Sequence, residues 1–206
     1  MSEAQIQKPE SMTVIQTDKG EVKLSPGIVK QYLVSGGGNV SNGEVMMFMA
    51  LCKYQALNPF IKEAFLIKYG SSPATMVVGK DVFVKRANKH PDHEGFEAGI
   101  TILTPNGELE RRVGTLILPD ETLVGGWAKA YRKGYRVPME AEVSLLEFDK
   151  KQSSWKTMPG TMIRKVALVT CLRETYPEEL QALYCSEEMG VDGSMLSDKE
   201  IIVQES

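Results

Sequence analysis

Apolar and polar positions follow two different periods along this chain, and the changes between them mark out its elements. Residues 13–16 and 21–24 alternate with period two around Asp18, Lys19 and Gly20, which predicts a short hairpin. Ser25 followed by Pro26 reads as an N-cap and a first helical residue. That helix is expected to end before Gly36, Gly37 and Gly38. Ser41 and Glu44 have capping-box spacing, and Val45, Phe48, Met49 and Cys52 then fall on one helical face. The helix should stop near Leu57, because Asn58 precedes Pro59.

Strand-like alternation follows over 64–69 and 75–79, separated by the turn-prone Gly70, Ser71, Ser72 and Pro73. Lys80–Lys89 is helical in pattern and is stopped by Pro91. Residues 97–103 and 111–118 flank the reverse turn Pro105-Asn106-Gly107, and 123–133 and 139–148 continue the series of strands. Residues 162–172 form a helix that is apolar nearly all round, followed by 177–184 and an acidic tail rich in small residues. Consecutive antiparallel strands with helices at both ends predict an α+β fold, an antiparallel β-sheet core flanked by helices. The organisation expected is a disordered N-terminus over 1–11, a single core over 12–185 and an acidic flexible tail over 186–206. No internal repeat is evident.

Composition narrows the function. A chain of 206 residues is long enough to bury a full core, and its apolar runs are too short to cross a bilayer. The polar N-terminus does not read as a signal peptide. Three scattered cysteines, with no C-x-x-C pair, fit a reducing cytosol without a disulfide framework or zinc site. A net charge of −3 argues against binding duplex DNA with the whole surface, so any nucleic-acid site must be local. Residues 125–173 hold ten Lys+Arg against four Asp+Glu, whereas 174–206 hold one against nine. The basic stretch interleaves its cations with Trp127, Tyr131 and Trp155. Cations neutralise phosphates and rings stack on unpaired bases, which suits single-stranded nucleic acid. A solvated charged strand with core tryptophans satisfies the same composition. The acidic end would either screen the basic site or dock on a partner.

Alternation in 123–133 puts Trp127, Lys129, Tyr131 and Lys133 on one face, and Ala128, Ala130 and Arg132 on the other. The first face could carry a nucleic-acid strand, or its rings could pack beneath a helix while the lysines reach outward. Arg164, Lys165 and Arg173 lie on or beside the apolar 162–172 helix and need partners if buried. Acidic side chains of the protein would serve; so would phosphates in a groove, with the 157–161 loop offering N–H groups at the helix start. The glycine run 36–38 lacks the Gly-Lys-Ser/Thr ending of a phosphate loop. His90 and His93 span a proline and read as a surface turn rather than paired metal ligands. No catalytic triad is legible, and the carboxylates show no nuclease pairing. No catalytic or metal residue is expected.

Several segments together resemble the phage recombination proteins called Bet, Redβ or RecT. Leu57-Asn58-Pro59-Phe60-Ile61-Lys62-Glu63-Ala64-Phe65 is similar to their "LNPW-x-KE" segment, and Val77-Val78-Gly79-Lys80-Asp81 to their "VVG-x-D" strand-to-helix step. Trp155, Pro159, Met162, Lys165, Ala167, Cys171 and Arg173 reproduce the spacing of their late helix. Gly126-Trp127-Ala128-Lys129-Ala130-Tyr131-Arg132-Lys133 is similar to the basic strand of the Bet branch. The resemblance covers about residues 20–185. It implies annealing of complementary single strands without ATP, by rings or helical filaments of the protein, in the cytoplasm of a phage-infected or prophage-bearing bacterium. It implies no enzyme activity and no cofactor, with a need for magnesium left open. It points to Arg164 and Lys165 on DNA, then Arg173, Lys156, Lys129 and Lys80. Tyr131, Arg132, Lys133 and Trp155 complete the expected site. The expected partners are single-stranded DNA, the annealed duplex intermediate and further copies of the chain. A host single-strand-binding protein or phage exonuclease is a candidate partner. Phe60 and Phe83 stand where many members have Trp. The chain ends at Ser206, so the longer partner-docking domain of the Redβ type is expected to be absent. A strand-coating protein without annealing activity and a metal-dependent nuclease are the other readings weighed.

Overall fold

The opening alternation folds into β1 (Thr13–Thr17) and β2 (Gly20–Leu24), paired antiparallel from Thr13 opposite Leu24 to Thr17 opposite Gly20. Period two turns Ile15 inward, where it is buried together with Leu24. The Ser25 hydroxyl accepts the Ile28 N–H at 3.2 Å and starts α1 (Pro26–Ile28), which continues as one wider turn over Val29–Leu33. The computed structural model describes residues 12–189; the expected disordered N-terminus over 1–11 lies outside them.

β3 (Val34–Ser35) pairs parallel with β4 (Ala64–Ile67), and the glycine run lies directly after β3. A Cβ at Gly36, where φ is +88°, would lie 2.5 Å from the Lys68 carbonyl oxygen. The run is therefore an adaptation for close backbone approach. α2 (Asn42–Tyr54) begins with the expected capping box and buries Val45, Phe48, Met49 and Cys52. Glu44 does more than cap. Its carboxylate accepts the Ser41 N–H at 2.7 Å, the Lys68 ammonium at 2.7 Å and the Ala74 N–H at 2.8 Å. Lys68 first, then these N–H groups, draw its pKa down to about 2. The Asn58–Glu63 segment clamps itself: Asn58 Oδ1 accepts the Phe60 N–H, and Glu63 Oε2 accepts the Asn58 N–H at 2.8 Å. β5 (Thr75–Val78) completes the order β3-β4-β5.

Contacts divide the described residues into two units, 12–76 and 77–189, where the sequence reading has a single core over 12–185. In the second unit, Gly79 caps α3 (Lys80–Lys89), the expected strand-to-helix step. β6 (His93–Leu103), β7 (Leu109–Val113), β8 (Thr122–Arg132) and β9 (Met139–Ser144) form an antiparallel sheet in the order β7-β6-β8-β9. Three expectations shift here. His93 opens β6 instead of standing in a surface turn, and its Nδ1 lies 2.7 Å from the Tyr176 hydroxyl. β7 stops at Val113 because Gly114 takes a φ of +83°. The 139–148 strand ends at Ser144, whose hydroxyl accepts the Leu146 N–H and starts α4 (Leu145–Phe148).

α5 (Ser153–Thr157) and α6 (Pro159–Thr175) follow, with Pro159 at the first turn of α6. The 157–161 stretch is therefore helical on both sides of Met158, where an open loop is expected from sequence. α6 lies against the sheet face formed by Ala98, Ile100, Ile102, Gly126, Ala128 and Ala130. A Cβ at Gly126 would sit 2.6 Å from the Ile163 carbonyl oxygen, so glycine sets how closely helix and strand approach. Ile100, Ile102, Trp155, Met162, Ile163 and Val166 form one buried cluster. α7 (Pro177–Leu180) and α8 (Ser186–Met189) close the described chain. Ser186–Met189, expected to open a flexible tail, is thus a helical turn; 190–206 lie outside the described residues.

Candidate nucleic-acid interface

The sheet face turned away from α6 carries Trp127, Lys129 and Tyr131, as alternation predicts. It is not a row of free cations. Cross-strand register sets Glu97, Lys129 and Glu140 side by side, then Gly99, Trp127 and Glu142. Lys129 Nζ lies 2.9 Å from Glu140, and the Tyr131 hydroxyl donates to Glu97 at 2.8 Å. Arg111 reaches across from β7 to Glu140 at 3.0 Å and Glu142 at 2.6 Å, its guanidinium 6.0 Å from the Trp127 ring centre. Thr101 donates to the other Glu142 oxygen at 2.8 Å. Trp127 is buried under this lid rather than beneath a helix. Lys129, then Arg111, holds the Glu140 carboxyl below its ordinary pKa, while Glu97 raises the Tyr131 phenol. Two cations among three carboxylates leave this face no excess positive charge.

Arg132 points to the other side. It donates to the Thr175 carbonyl at 2.8 Å and lies over the Tyr135 and Tyr176 rings, so it caps the C-terminal end of α6. Trp155 is buried in the core cluster and presents no stacking surface. Lys80 pairs with the neighbouring Asp81 at 2.6 Å. On α6, Arg164 donates to the Ala98 carbonyl at 3.1 Å. Lys165 lies 3.1 Å from Glu187, and Arg173 pairs with Glu188, with one contact at 2.9 Å. Burial opposes the charged form of Glu187 most strongly, but Lys165, a backbone N–H and the Ser186 hydroxyl together outweigh it, and the carboxyl stays below its ordinary pKa. The late-helix cations thus have partners inside the protein, one of the two arrangements sequence left open.

The free cations of the 125–173 stretch are elsewhere. Lys133, Arg136, Lys150, Lys151 and Lys156 are exposed, and none forms an ion pair among the described residues. Lys133 and Arg136 belong to the turn between β8 and β9, where Gly134 takes a φ of +84° and Tyr135 is 53% exposed. Lys156 sits in α5, just before α6. Ile163 meets β8 at Gly126 and Thr175 meets it at Arg132, spanning about 18 Å of helix and about 20 Å of strand. α6 and β8 therefore run side by side. The free cations lie at both ends of this layer, roughly 25 Å apart along the 17 residues of α6.

Of the expected site residues, Lys133 and Lys156 stand free; the structure gives Lys80, Lys129, Tyr131, Arg132, Arg164, Lys165 and Arg173 internal partners. Sequence reasoning missed the Arg111 lid and the Glu187–Glu188 pair. Glu140 and Glu142, two apart on a strand next to the basic one, carried the relevant signal. Among the described residues, no helix is long and apolar enough to cross a membrane, and no three His, Cys, Asp or Glu side chains gather as metal ligands.

The fold is α+β, antiparallel sheets flanked by helices. A family model described as the RecT family matches residues 13–203, and the chain belongs to that family. It is also similar to the uncharacterised protein UU154 of Ureaplasma parvum serovar 3, with 28% identity over 122 residues. That alignment covers 59% of this chain and 49% of the relative, so the chain spans about half the length of the curated relative it matches.

Proposed function

We propose that this protein binds single-stranded DNA and anneals complementary strands without a nucleotide cofactor, acting as an oligomer in phage-type recombination. Family membership over nearly the whole chain carries the reading, and the free cations at the two ends of the α6–β8 layer support it. Two DNA strands repel each other as polyanions. Lys133, Arg136, Lys150, Lys151 and Lys156 lower that repulsion by displacing counterions, while Tyr135 offers a ring face to an unpaired base. Backbone contacts suffice, because Watson–Crick pairing between the strands supplies the sequence discrimination.

A strand longer than one subunit requires copies laid side by side, in a ring or filament. The outer face of α2, with Met46, Met47 and Tyr54 exposed, is apolar surface suited to such a contact. Bacterial cytoplasm is the compartment where this activity belongs, and a host single-strand-binding protein or phage exonuclease is a fitting partner. The test is the annealing rate of two complementary fluorescent oligonucleotides in buffer without ATP, with and without magnesium. Protein-dependent acceleration is expected. Tight binding to each strand with no acceleration would leave a strand-coating protein, and cleavage to fragments would overturn the reading.

A further inference from the structure

The turn α8 places two consecutive carboxylates on cations of the most deeply packed helix in the second unit. Glu188 collects a complete set of donors: the Arg173 guanidinium through both terminal nitrogens, the Thr170 hydroxyl at 3.4 Å and the Cys185 N–H at 3.1 Å. Glu187 takes Lys165 at 3.1 Å and the Ser186 hydroxyl at 3.0 Å. A forked guanidinium with a hydroxyl and a backbone N–H is also what a phosphate oxygen set accepts. Lys165 and Arg173 are eight residues apart, about 12 Å along the helix, so they form a cationic track rather than a point.

The hold on this turn is mainly electrostatic. Cys185 is the last described residue to bury an apolar side chain; beyond it Ser186 and Glu187 are buried polar groups and Met189 is exposed. A four-residue helix has no stability of its own. By contrast, Arg173 is anchored from other directions, by the Leu183 carbonyl at 3.2 Å and the Tyr184 ring at 4.8 Å. Arg173 would keep its position if α8 left.

We infer that α8 is an autoinhibitory latch: Glu187 and Glu188 occupy Lys165, Thr170 and Arg173 as stand-ins for phosphates, and a nucleic-acid backbone displaces them to extend the site along α6. This rests on the single-strand-binding reading and adds its regulation. Weak encounters would stop at the free cations at the two ends of the layer. Opening the latch requires a strand that engages the layer far enough to compete for the covered track.

The test compares the full-length wild-type chain with Glu187→Gln/Glu188→Gln by fluorescence anisotropy, using a labelled single-stranded oligothymidylate. The variant is expected to bind about fivefold to 150-fold more tightly, the usual range for a coupled displacement. Amide exchange supplies a second readout on the wild-type chain, independent of whether the variant folds. Amides of residues 185–189 should exchange faster when the oligonucleotide is bound. Wild-type binding with equal variant affinity, or with unchanged or slower exchange at 185–189, overturns the latch and leaves single-strand binding standing. Absence of binding by both proteins overturns both readings.

Discussion

Removing Lys133 and Arg136 together separates a free-cation interface from the basic face that the sequence suggests. Neither side chain has an ion-pair partner among the described residues, so each can neutralise a phosphate and release the cation condensed on it. On single strands each contact contributes about −0.7 to the slope of log K against log salt concentration. The Lys133→Ala/Arg136→Ala variant should therefore flatten the slope by about 1.4 per bound subunit. At 0.1 M salt, relative to 1 M, that loss corresponds to roughly a 25-fold weaker complex. Lys129→Ala is the matched control. Its ammonium is already neutralised by Glu140 at 2.9 Å, so it neutralises no phosphate, and its slope should stay at the wild-type value. The assay is anisotropy of a labelled oligonucleotide titrated at several salt concentrations, with thermal melting to confirm folding. A wild-type slope and affinity in the double variant would refute the argument. So would an equal loss in Lys129→Ala, because the Trp127 face would then carry the DNA.

Other outcomes follow from single sites. Tyr135→Ala should weaken oligonucleotide binding by about 1–3 kcal/mol, the usual worth of one base–ring stack, while Trp155→Ala should cost about 3–5 kcal/mol of folding stability as a core truncation. Chemical denaturation and anisotropy, run side by side, check both. Gly126→Ala should destabilise by about 1–3 kcal/mol, because the Ile163 carbonyl stands 2.6 Å from the new methyl, and calorimetry would show it as a lower Tm. Glu44 has a folded pKa of about 2 against an ordinary 4.5, so its contribution is full above pH 4.5 and fades as pH falls towards 2. Glu44→Gln should therefore melt below wild type at neutral pH, with the difference closing between pH 4.5 and 2; a difference independent of pH would refute the assignment.

Local chemistry was legible wherever neighbours in the chain decide the outcome. The Ser41–Glu44 capping box, the turn at Pro105-Asn106-Gly107, the step from Val78 through Gly79 into α3 and the apolar 162–172 helix all rest on bonds or sterics within a few residues. The excess of cations over 125–173 was equally plain, as was the pattern of segments that marks the family. Which of those cations can meet a ligand was not. Lys129 and Lys133 share one face by alternation, yet β9 sets Glu140 beside the first, whereas the second lies beyond the end of that pairing. Trp127 is covered because β7 brings Arg111 across β6, and Lys165 and Arg173 are covered because the chain folds α8 back onto α6. Ion pairing and burial depend on partners far away in sequence, so only the tertiary structure could divide one basic stretch into cations that hold the protein together and cations left for a polyanion.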